Sequence, residues 1–473
     1  MHTFKYGCAT LLKSLRWLNK KTFGLCAGRI YFGRSLARVP AGAVVFFPCR
    51  PTLLACGLAG IVAFKQKKKR SQPVDLEEMA RSVETVARQS LAACLAQPGD
   101  PADGYLGGDA LNGLLAAAHG LKNRENFCAV YADVEKQAAI KAISRRLTEI
   151  ISEDSRLLAE KMGHLDARIV DILARRVEEL KDIAWSLATE VTRNIAQINE
   201  LLGTDGRREG LPPDQLMVYK NINTVLNSID RLEVRGRDSA GISLMFILED
   251  SAYRGFNAAV ARADLLAELQ ERSARALLVN GGIAVHELKG AADRSRVTVT
   301  LTYKVAAEIG RLGDNIRFLR RQIKKDRLFH LLAACPHENH TISSHTRWAS
   351  VGAITEANCH PVDNHVLSGS STDGGIIHVC LNGDIDNYLA LKAEHLNSGK
   401  QLHKDITTDT KIIPLQVEKY IQRGCVPEEA FRRAVNDFEG SHAISMHTDL
   451  APGKFFLAQK GSGQTVFIGL SED

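Results

Sequence analysis

The sequence predicts an α+β protein in which a long all-helical segment joins a mixed body of strands and helices. Apolar residues recur every three or four positions over a long stretch beginning near residue 71, which is the helical period. In the second half, short runs of β-branched residues alternate with polar ones, which is the period of a strand. We therefore expect two structural units, one inserted in the other.

Residues 71–221 are predicted to be nearly all helix. A stripe of apolar residues with steps of three and four predicts an amphipathic helix or an antiparallel helical pair. The stripe consists of Ile169, Leu173, Val177, Leu180, Ala184, Leu187, Val191, Ile195, Ile198 and Leu202. Packing against its own neighbours is favoured over a partner-binding coiled coil. The Pro- and Gly-rich segment Gln97–Gly108 is predicted to be a loop.

The mixed body that follows is predicted from strand and helix periods. Predicted strands are Ile242–Leu248, Arg296–Tyr303, Gly375–Leu381, Ala443–Thr448, Lys454–Gln459 and Thr465–Gly469. Predicted helices are Val305–Leu332, Tyr388–His395, Ile412–Arg423 and Pro427–Phe438.

The charge of the chain is concentrated at its start. The 473 residues carry 61 Lys and Arg against 54 Asp and Glu, a formal charge of +7. Residues 1–55 hold nine of the basic residues and no acidic one, so residues 56–473 have 52 basic against 54 acidic residues. A positive field over the whole protein, typical of nucleic-acid binding, is therefore not predicted.

The cysteines indicate a reducing compartment. The chain has 10 cysteines without a CxxC pair or a regular spacing, which argues against a secreted disulfide framework. A cytoplasmic location follows as the default expectation.

The basic leader, residues 1–55, allows several interpretations. It is a transit or pro-segment, a membrane or lipid-attachment signal ending at Cys56, or the product of an upstream start codon. The first two would make the protein organelle-targeted or membrane-tethered. The apolar run Val39–Phe64 is long enough to span a bilayer, but it contains Arg50 and three prolines, which disfavour a span.

Three short motifs in the second half suggest chemistry. Arg347 lies beside Trp348 in the run Ser344–Ser350, and an arginine is suited to binding a carboxylate through two hydrogen bonds. Asn382 and Gly383 end a predicted strand, where an amide side chain and a free backbone N–H can form an oxyanion hole. Thr407–Thr410 precedes a helix, where an ordinary N-cap is the alternative.

These three motifs and a fourth, earlier in the chain, together resemble the motifs of a known domain family. VRGRDSAG (Val234–Gly241), SHTRWAS (Ser344–Ser350), LNGDIDN (Leu381–Asn387) and TTDT (Thr407–Thr410) resemble, in the same order, blocks of one domain family. This is the class II, N-terminal-nucleophile glutamine amidotransferase domain, in the form found in glutamine–fructose-6-phosphate aminotransferase (isomerizing). Cys56–Gly60 (CGLAG) resembles the start of the mature chain in that family. One departure is Val351, where the family usually has histidine.

The resemblance implies a role for each residue. Cys56 would attack the side-chain amide of glutamine, and Asn382 with the N–H of Gly383 would stabilise the oxyanion. Arg347 would hold the substrate carboxylate and Asp409 its ammonium group. Trp348, the third substrate-binding residue, would shape the pocket wall. Two residues in supporting roles would order the surrounding loop: Arg235 and Asp238.

The resemblance also implies the fold and the domain boundaries. The expected fold is a four-layer α/β/β/α N-terminal-nucleophile hydrolase sandwich with a large all-helical insertion. The amidotransferase domain would consist of residues 56–66 plus 222–473, interrupted by a helical insertion at 67–221 and a smaller one at 251–295. Because the α-amino group of Cys56 is the expected base, residues 1–55 must be absent from the active enzyme.

The implied reaction releases ammonia from L-glutamine for an acceptor, expected to be fructose 6-phosphate. The sugar-isomerase domains of the family are absent from the sequence, so we expect the acceptor site on a separate chain or in missing C-terminal domains. The alternatives are a glutaminase serving another acceptor, as in amidophosphoribosyltransferase, and an inactive membrane-tethered helical interaction protein. No cofactor, metal or nucleic acid is expected, and a homo-oligomer is left open.

Two other groups of cysteines and histidines have residue types that can bind metal or act as nucleophiles. Cys335, His337, His340 and His345 are of metal-ligating types, but no second distant pair accompanies them, so a zinc site is not predicted. Cys359 with His360, and Cys380, could suggest a nucleophile pair, but cysteines packed in the core are the better prediction.

Overall fold

The structure is a computed structural model, and it shows a mixed α and β protein. It describes residues 44–46, 56–64, 72–106, 109–203, 211–274, 279–288, 295–306, 311–367, 375–461 and 466–469. The strands lie in two antiparallel sheets, which agrees with the α+β prediction. Most of the leader, residues 1–55, and the interpretations made of it lie outside the described residues.

The described strands form a seven-stranded and a four-stranded sheet. The order is β11-β1-β2-β6-β3-β5-β4 in the first sheet and β10-β9-β8-β7 in the second. The strands are β1 Val44–Phe46, β2 Gly57–Phe64, β3 Ser239–Glu249, β4 Gly282–Leu288, β5 Arg296–Ala306, β6 Asn339–Arg347, β7 Val362–Asp363, β8 Ile377–Gly383, β9 His442–Thr448, β10 Phe455–Lys460 and β11 Phe467–Gly469. All six strands predicted from the sequence are present, with shifts at their ends.

The described helices fall into three groups along the chain. Between β2 and β3 lie α1 Leu76–Arg88, α2 Leu91–Leu95, α3 Pro101–Gly104, α4 Asp109–Gly120, α5 Arg124–Ala132, α6 Val134–Lys161, α7 Ala167–Trp185, α8 Asn194–Leu202 and α9 Pro213–Leu232. Between β3 and β6 lie α10 Asp250–Arg262, α11 Leu266–Ala274, α12 Asp314–Lys325 and α13 Arg327–Ala333. Between β8 and β9 lie α14 Tyr388–Asn397, α15 Ile412–Gln422 and α16 Pro427–Asp437.

The predicted apolar stripe forms one helical run rather than a helical pair. α7 continues through a π-helical stretch, Ser186–Arg193, directly into α8. Eight of the stripe's residues are buried: Leu173, Val177, Leu180, Ala184, Leu187, Val191, Ile195 and Ile198. The stripe therefore faces the protein's own core, as predicted.

One face of the seven-stranded sheet is apolar and covered by helices. Paired residues such as Ile242 in β3 and Tyr303 in β5 lie on this face. α9 contacts β2 and β6, and α12 contacts β3 and β5. Side chains from this face and from the helices between β2 and β3 belong to one continuous hydrophobic cluster. The helical segment and the sheet thus share a core.

The opposite face of this sheet lies toward the four-stranded sheet and is polar at its centre, with smaller apolar clusters around Leu58 in β2 and Met245 in β3. Strand pairing places Ser243, Thr302 and Ser343 side by side on it. β8 contacts both β2 and β6, and its own inward residues, His378 and Cys380, are also buried. The far face of the four-stranded sheet is covered by α15 and α16, which contact β8 and β10 respectively.

Two predictions about local structure are wrong. The segment Val305–Leu332 is not one helix. Val305 still belongs to β5, and the helical conformation is interrupted at Asp326 between α12 and α13. Asp326 has extended backbone angles, and its side chain caps α13 by accepting from the N–H of Phe329. The predicted loop Gln97–Gly108 contains a short helix, α3, because Asp100 caps it and a proline follows.

Five of the described strands were not predicted from the sequence: β1, β2, β4, β6 and β7. β2 and β6 carry residues such as Gly60 and His345 that do not follow the apolar–polar alternation of a strand with one solvated face. Both strands are buried on each side, so their sequences show no such alternation. Two parts of the apolar run Val39–Phe64 form strands, namely β1 and β2. No helix in the described ranges has the length and apolar character needed to cross a membrane.

Candidate active site

Cys56 lies at the start of β2, beside the end of β6. β2 and β6 are antiparallel, and Gly57 pairs with Thr346, so the residues that precede one strand and follow the other are neighbours. The backbone N–H of Trp348 donates to the Cys56 sulfur with an N···S distance of 3.1 Å. The thiol in turn is 3.5 Å from the Trp348 carbonyl oxygen. Cys56 is only 8% exposed.

Burial dominates the acidity of the Cys56 thiol. It raises the pKa of Cys56 to about 11, because a buried thiolate loses the solvation it has in water. The Trp348 N–H and the positive charge of Arg347 lower this pKa, while the negative charge of Asp384 raises it. Within the intact chain, the sulfur is therefore protonated at neutral pH.

Arg347 is the last residue of β6, and it is directed toward the loop that follows. It is 3% exposed. Its guanidinium donates to the carbonyl oxygen of Val351 and, at 3.4 Å, to that of Ala353. The guanidinium thereby shapes the loop after Trp348, and Trp348 itself is half-buried.

Asp238 holds the same segment from the other side. Its carboxylate accepts from the N–H of Ala349 at 2.8 Å, and its own N–H donates to the carbonyl of Arg347 at 3.1 Å. Arg235 ends the 3-10 helix Glu233–Arg235, and its side chain lies outside the described part of the structure.

Asn382 and Gly383 end β8 on the side that faces Cys56. Leu58, two residues after Cys56, lies in one apolar cluster with Cys380, two residues before Asn382. Asn382 is buried. Gly383 has a φ of +110°, and a Cβ there would lie 2.1 Å from the carbonyl oxygen of Ser441. Only glycine allows this turn of the backbone.

Asp384 is a further charged residue at the site, and it was not predicted from the sequence to have a role there. Its carboxylate accepts from the Ser350 hydroxyl, which joins the end of β8 to the loop after β6. Its charge acts on both Cys56 and Asp409. Its position immediately after Asn382 and Gly383 was the available signal.

Asp409 begins a short 3-10 helix, Asp409–Lys411, and is 3% exposed. Its carboxylate accepts from the N–H of Ile385 at 2.9 Å, which ties it to the chain just after β8. Burial raises the pKa of Asp409, and the Ile385 N–H opposes this shift. The alternative of a simple N-cap applies to Thr408, whose hydroxyl accepts from the N–H of Thr410 at 3.4 Å.

The other Cys/His groups do not form reactive pairs. The Cys359 thiol donates to the carbonyl of Ala240 at 3.1 Å, and the Cys380 thiol lies 3.3 Å from the Ser343 hydroxyl. Both cysteines are fully buried, as predicted for core residues.

The cluster weighed as a zinc site is divided by the pleat of β6. His340 is 3.0 Å from His337 on one face of the strand. His345, an odd number of residues away, lies on the other face and packs against the ring of His360. Across the described ranges, no group of three or more His, Cys, Asp or Glu side chains could hold a metal ion.

The structure therefore brings most of the predicted residues together at adjoining strand ends. A buried thiol, an arginine and a backbone N–H meet at the ends of β2 and β6, and Asn382, Gly383 and Asp409 adjoin them through β8. Such a site combines a buried thiol with groups of both charges.

Comparison with known proteins gives partial similarity. No family model matches the chain. The chain is 35% identical over 136 residues to glutamine–fructose-6-phosphate aminotransferase (isomerizing) of Sulfurisphaera tokodaii, covering 28% of this chain and 21% of that protein. It is 35% identical over 135 residues to the enzyme of the same name from Geobacillus kaustophilus, covering 28% and 21%.

A third relative extends the matched region. The enzyme of the same name from Gluconobacter oxydans is 32% identical over 149 residues, covering 32% of this chain and 22% of that protein. The chain thus spans about a fifth of the length of these curated relatives. Over somewhat more than a quarter of its own length, it is similar to glutamine–fructose-6-phosphate aminotransferases.

Proposed function

We propose that this protein is a class II glutamine amidotransferase domain that hydrolyses glutamine at Cys56. The observation that carries the proposal is the contact of the Cys56 sulfur with the N–H of Trp348, beside the buried guanidinium of Arg347. The similarity to glutamine–fructose-6-phosphate aminotransferases supports it independently.

The proposed fold is the α/β/β/α sandwich of the N-terminal-nucleophile hydrolases. Two facing antiparallel sheets with helices on their outer sides support this proposal. Residues 56–66 and 222–473 would form the amidotransferase domain, and residues 67–221 and 251–295 would be insertions in it. The location of α1 to α8 in the connection between β2 and β3, two strands of one sheet, supports the larger insertion.

In the proposed reaction, the Cys56 sulfur attacks the side-chain amide carbon of glutamine. The carbonyl oxygen becomes an oxyanion held by Asn382 and the N–H of Gly383. The C–N bond then breaks, and the nitrogen leaves as ammonia after taking the thiol proton. Water attacks the resulting thioester, which releases glutamate and restores the thiol. Each oxyanion donor is worth on the order of 10²–10³ in rate.

The thiol needs a base, because its pKa of about 11 leaves it protonated at neutral pH. A cysteine at the start of a chain can use its own α-amino group, whose ordinary pKa is about 7.7–8.0. A peptide nitrogen cannot take up this proton. The proposal therefore requires that residues 1–55 are removed before the protein can act.

The substrate's head group would be bound by opposite charges. Arg347 would pair with the α-carboxylate and Asp409 with the α-ammonium group, while Trp348 would form part of the pocket wall. Asp384 adds a second negative charge close to Asp409. These charges favour a zwitterionic amino acid over a simple amide.

We further propose that the released ammonia is used to form glucosamine 6-phosphate from fructose 6-phosphate. The names of the relatives support this acceptor. The acceptor site would lie on a separate chain or on a further domain. The test is to add amide-¹⁵N glutamine and fructose 6-phosphate to the protein in its native extract. Label in glucosamine 6-phosphate is expected, and label in ammonia alone would contradict this acceptor.

The glutaminase proposal is tested with a protein that starts at Cys56. We expect it to release glutamate from glutamine, whereas Cys56→Ala has no activity above background. Cys425→Ala is the matched control, because Cys425 is a free, partly exposed cysteine outside the site. Intact mass and N-terminal sequencing of the native protein should show a chain beginning at Cys56.

Two outcomes would contradict the proposal. One is equal glutamate release by the Cys56→Ala variant and the unmodified protein. The other is full activity in a protein that retains residues 1–55, because its Cys56 would lack the free amino group.

A further inference from the structure

The loop after β6 and the segment before the Asp409 helix are in direct contact. The N–H of Ala353 donates to the Thr407 hydroxyl at 3.0 Å. Gly352 has a φ of +92°, and a Cβ there would lie 2.8 Å from the backbone nitrogen of Thr408. A side chain at residue 352 would push the two segments apart.

The side chain of Asn358 joins these two segments. Its oxygen accepts from the N–H of Thr407 at 2.7 Å and from the N–H of Thr408 at 2.9 Å. Its amide nitrogen donates to the Thr355 hydroxyl at 2.9 Å and to the Asp405 carbonyl at 3.0 Å. A primary amide can accept two hydrogen bonds and donate two, so its full capacity is used. Asn358 is 0% exposed.

The two joined segments carry the two charges proposed to bind the substrate. One begins at Arg347, whose guanidinium donates to the carbonyls of Val351 and Ala353. The other leads into Asp409. Beyond it, the ammonium group of Lys411 donates to the Asp363 carboxylate at 3.0 Å, which anchors the far end of the 3-10 helix.

We propose that Asn358 is a positioning residue that sets the separation between Arg347 and Asp409, and so selects the head group of an α-amino acid. The inference rests on the proposed function. Asn358 does not touch the reacting atoms, but its four hydrogen bonds fix one segment against the other. A small displacement of either charged group would weaken the binding of a substrate that must contact both.

Asn358→Asp is the sharpest variant, because it keeps the shape and both acceptor bonds. It removes both donors and places a carboxylate oxygen against the Asp405 carbonyl. In the protein starting at Cys56, we expect KM for glutamine to rise on the order of tenfold or more, with a smaller change in kcat.

Two thiol reagents distinguish positioning from a general structural role. A diazoketone analogue of glutamine must place its amino-acid head group before it can alkylate Cys56, whereas iodoacetamide has no such group. We expect Asn358→Asp to slow the diazoketone about tenfold or more, while iodoacetamide reacts at nearly the same rate. The readout is the mass of the Cys56 peptide over time.

Asn126→Asp is the matched control in the helical segment. The Asn126 amide donates to the carbonyls of Gln72 at 3.0 Å and Gly120 at 2.9 Å and accepts from the N–H of Val74 at 3.4 Å. It makes the same kind of backbone contacts outside the site. In Asn126→Asp, we expect the rate of alkylation by the diazoketone divided by the rate with iodoacetamide to equal that of the unmodified protein.

The outcomes separate this inference from the proposed function. An unchanged ratio in Asn358→Asp would overturn the positioning role. If this variant does not fold, Thr407→Val replaces it, because it removes the acceptor for the N–H of Ala353. The rate of alkylation by the diazoketone divided by the rate with iodoacetamide must then be lower in Thr407→Val than in the unmodified protein. An unchanged ratio in that variant overturns the positioning role too. An unmodified protein that reacts with neither glutamine nor the diazoketone would instead overturn the proposed function.

Discussion

At the scale of single residues, the central feature is a thiol kept in its neutral form. The N–H of Trp348 and the charge of Arg347 favour the thiolate, but burial outweighs both. Without bound substrate, a neutral sulfur is protected from non-specific alkylation and oxidation, because both reactions act on the thiolate. Reactivity would then depend on a bound substrate and a local base.

The alkylation of Cys56 in the intact chain should depend steeply on pH. Because its pKa is about 11, the thiolate fraction should increase about tenfold for each pH unit between pH 7 and 10. An unperturbed cysteine would approach its maximum rate near pH 9 instead. The rate of iodoacetamide labelling of the Cys56 peptide measures this profile, and a plateau near pH 9 would refute the raised pKa.

Asp384→Asn provides an internal check on the same profile. Removing the nearby negative charge makes the thiolate less unfavourable, so the pKa of Cys56 should fall and labelling at pH 8 should become faster. Asp386→Asn changes an exposed carboxylate two residues away and should leave the rate unchanged. Slower labelling in Asp384→Asn would show that the carboxylate acts structurally.

Residue by residue, short motifs were predictable and long-range partners were not. Cys56, Arg347, Trp348 and Asp409 were identified because each lies in a recognisable block of sequence. Asn358 could not be identified, because its bonding partners Thr407 and Thr408 are 49 and 50 residues away. A single sequence does not show which distant backbone an amide will meet.

At the scale of elements, β5 illustrates the contrast between the two sheet faces. Leu301 points to the helix side and is buried in the shared core. Its neighbour Thr300 points to the inner side, where its buried hydroxyl has no hydrogen-bond partner among the described residues. Thr298 and Thr302 are in the same situation. A buried polar group without a partner carries a desolvation cost.

Substitutions at these adjacent positions should have opposite effects on stability. Thr300→Val keeps the shape and removes the unpaired hydroxyl, so the free energy of unfolding should rise by about 1 kcal/mol. Leu301→Ala leaves a cavity and should lower it by about 2–5 kcal/mol. Urea unfolding of both variants measures the difference. A decrease for Thr300→Val would mean that the hydroxyl is hydrogen-bonded, for example to ordered water.

The same contrast explains which strands could be predicted. β5 was predicted because its β-branched residues alternate in chemistry, with threonine on one face and valine or leucine on the other. β6 has serine, threonine and histidine on both faces, so its pattern resembled a loop. Its strand conformation is imposed by pairing with β2 and β3 on either side, which is tertiary information.

At the scale of the whole molecule, buried neutral histidines should make the fold sensitive to mild acid. Burial lowers the pKa of His340 and His345 to about 3, and that of His378, His395 and His442 to about 4. Below the unfolded-state pKa of about 6.5, the unfolded chain binds protons that the folded protein does not. Stability should therefore fall as the pH decreases from 6.5 toward 4.

The expected loss is large enough to measure. At pH 5.5, each such histidine should cost about 1 kcal/mol relative to pH 7.5. Asp182 acts in the opposite direction, because burial raises its pKa to about 6, but it is outnumbered. The urea midpoint at pH 7.5, 6.5 and 5.5 tests this, and an unchanged midpoint would show that these rings take up protons within the fold.

For the molecule as a whole, the coarse fold class was predictable from the sequence. The α+β character and the long helical segment followed from periodicity. The helix interruption at Asp326 and the start of α3 after Asp100 were not predictable, because each depends on capping by a single side chain. The arrangement of strands also could not be derived, since neighbours such as β2 and β6 are far apart in sequence.

The division of the large sheet into a polar and an apolar face has a consequence for how the molecule can be shortened. Most of the buried apolar side chains of the sheet lie on the face that the helices cover, so the sheet depends largely on those helices for hydrophobic stabilisation. A minimal version without residues 72–232 would lose α9, which contacts β2 and β6, and would expose Ile61 and Ile342 to water. The helical segment therefore supports β2 and β6 structurally, and evolution or engineering could alter its surface more readily than remove it.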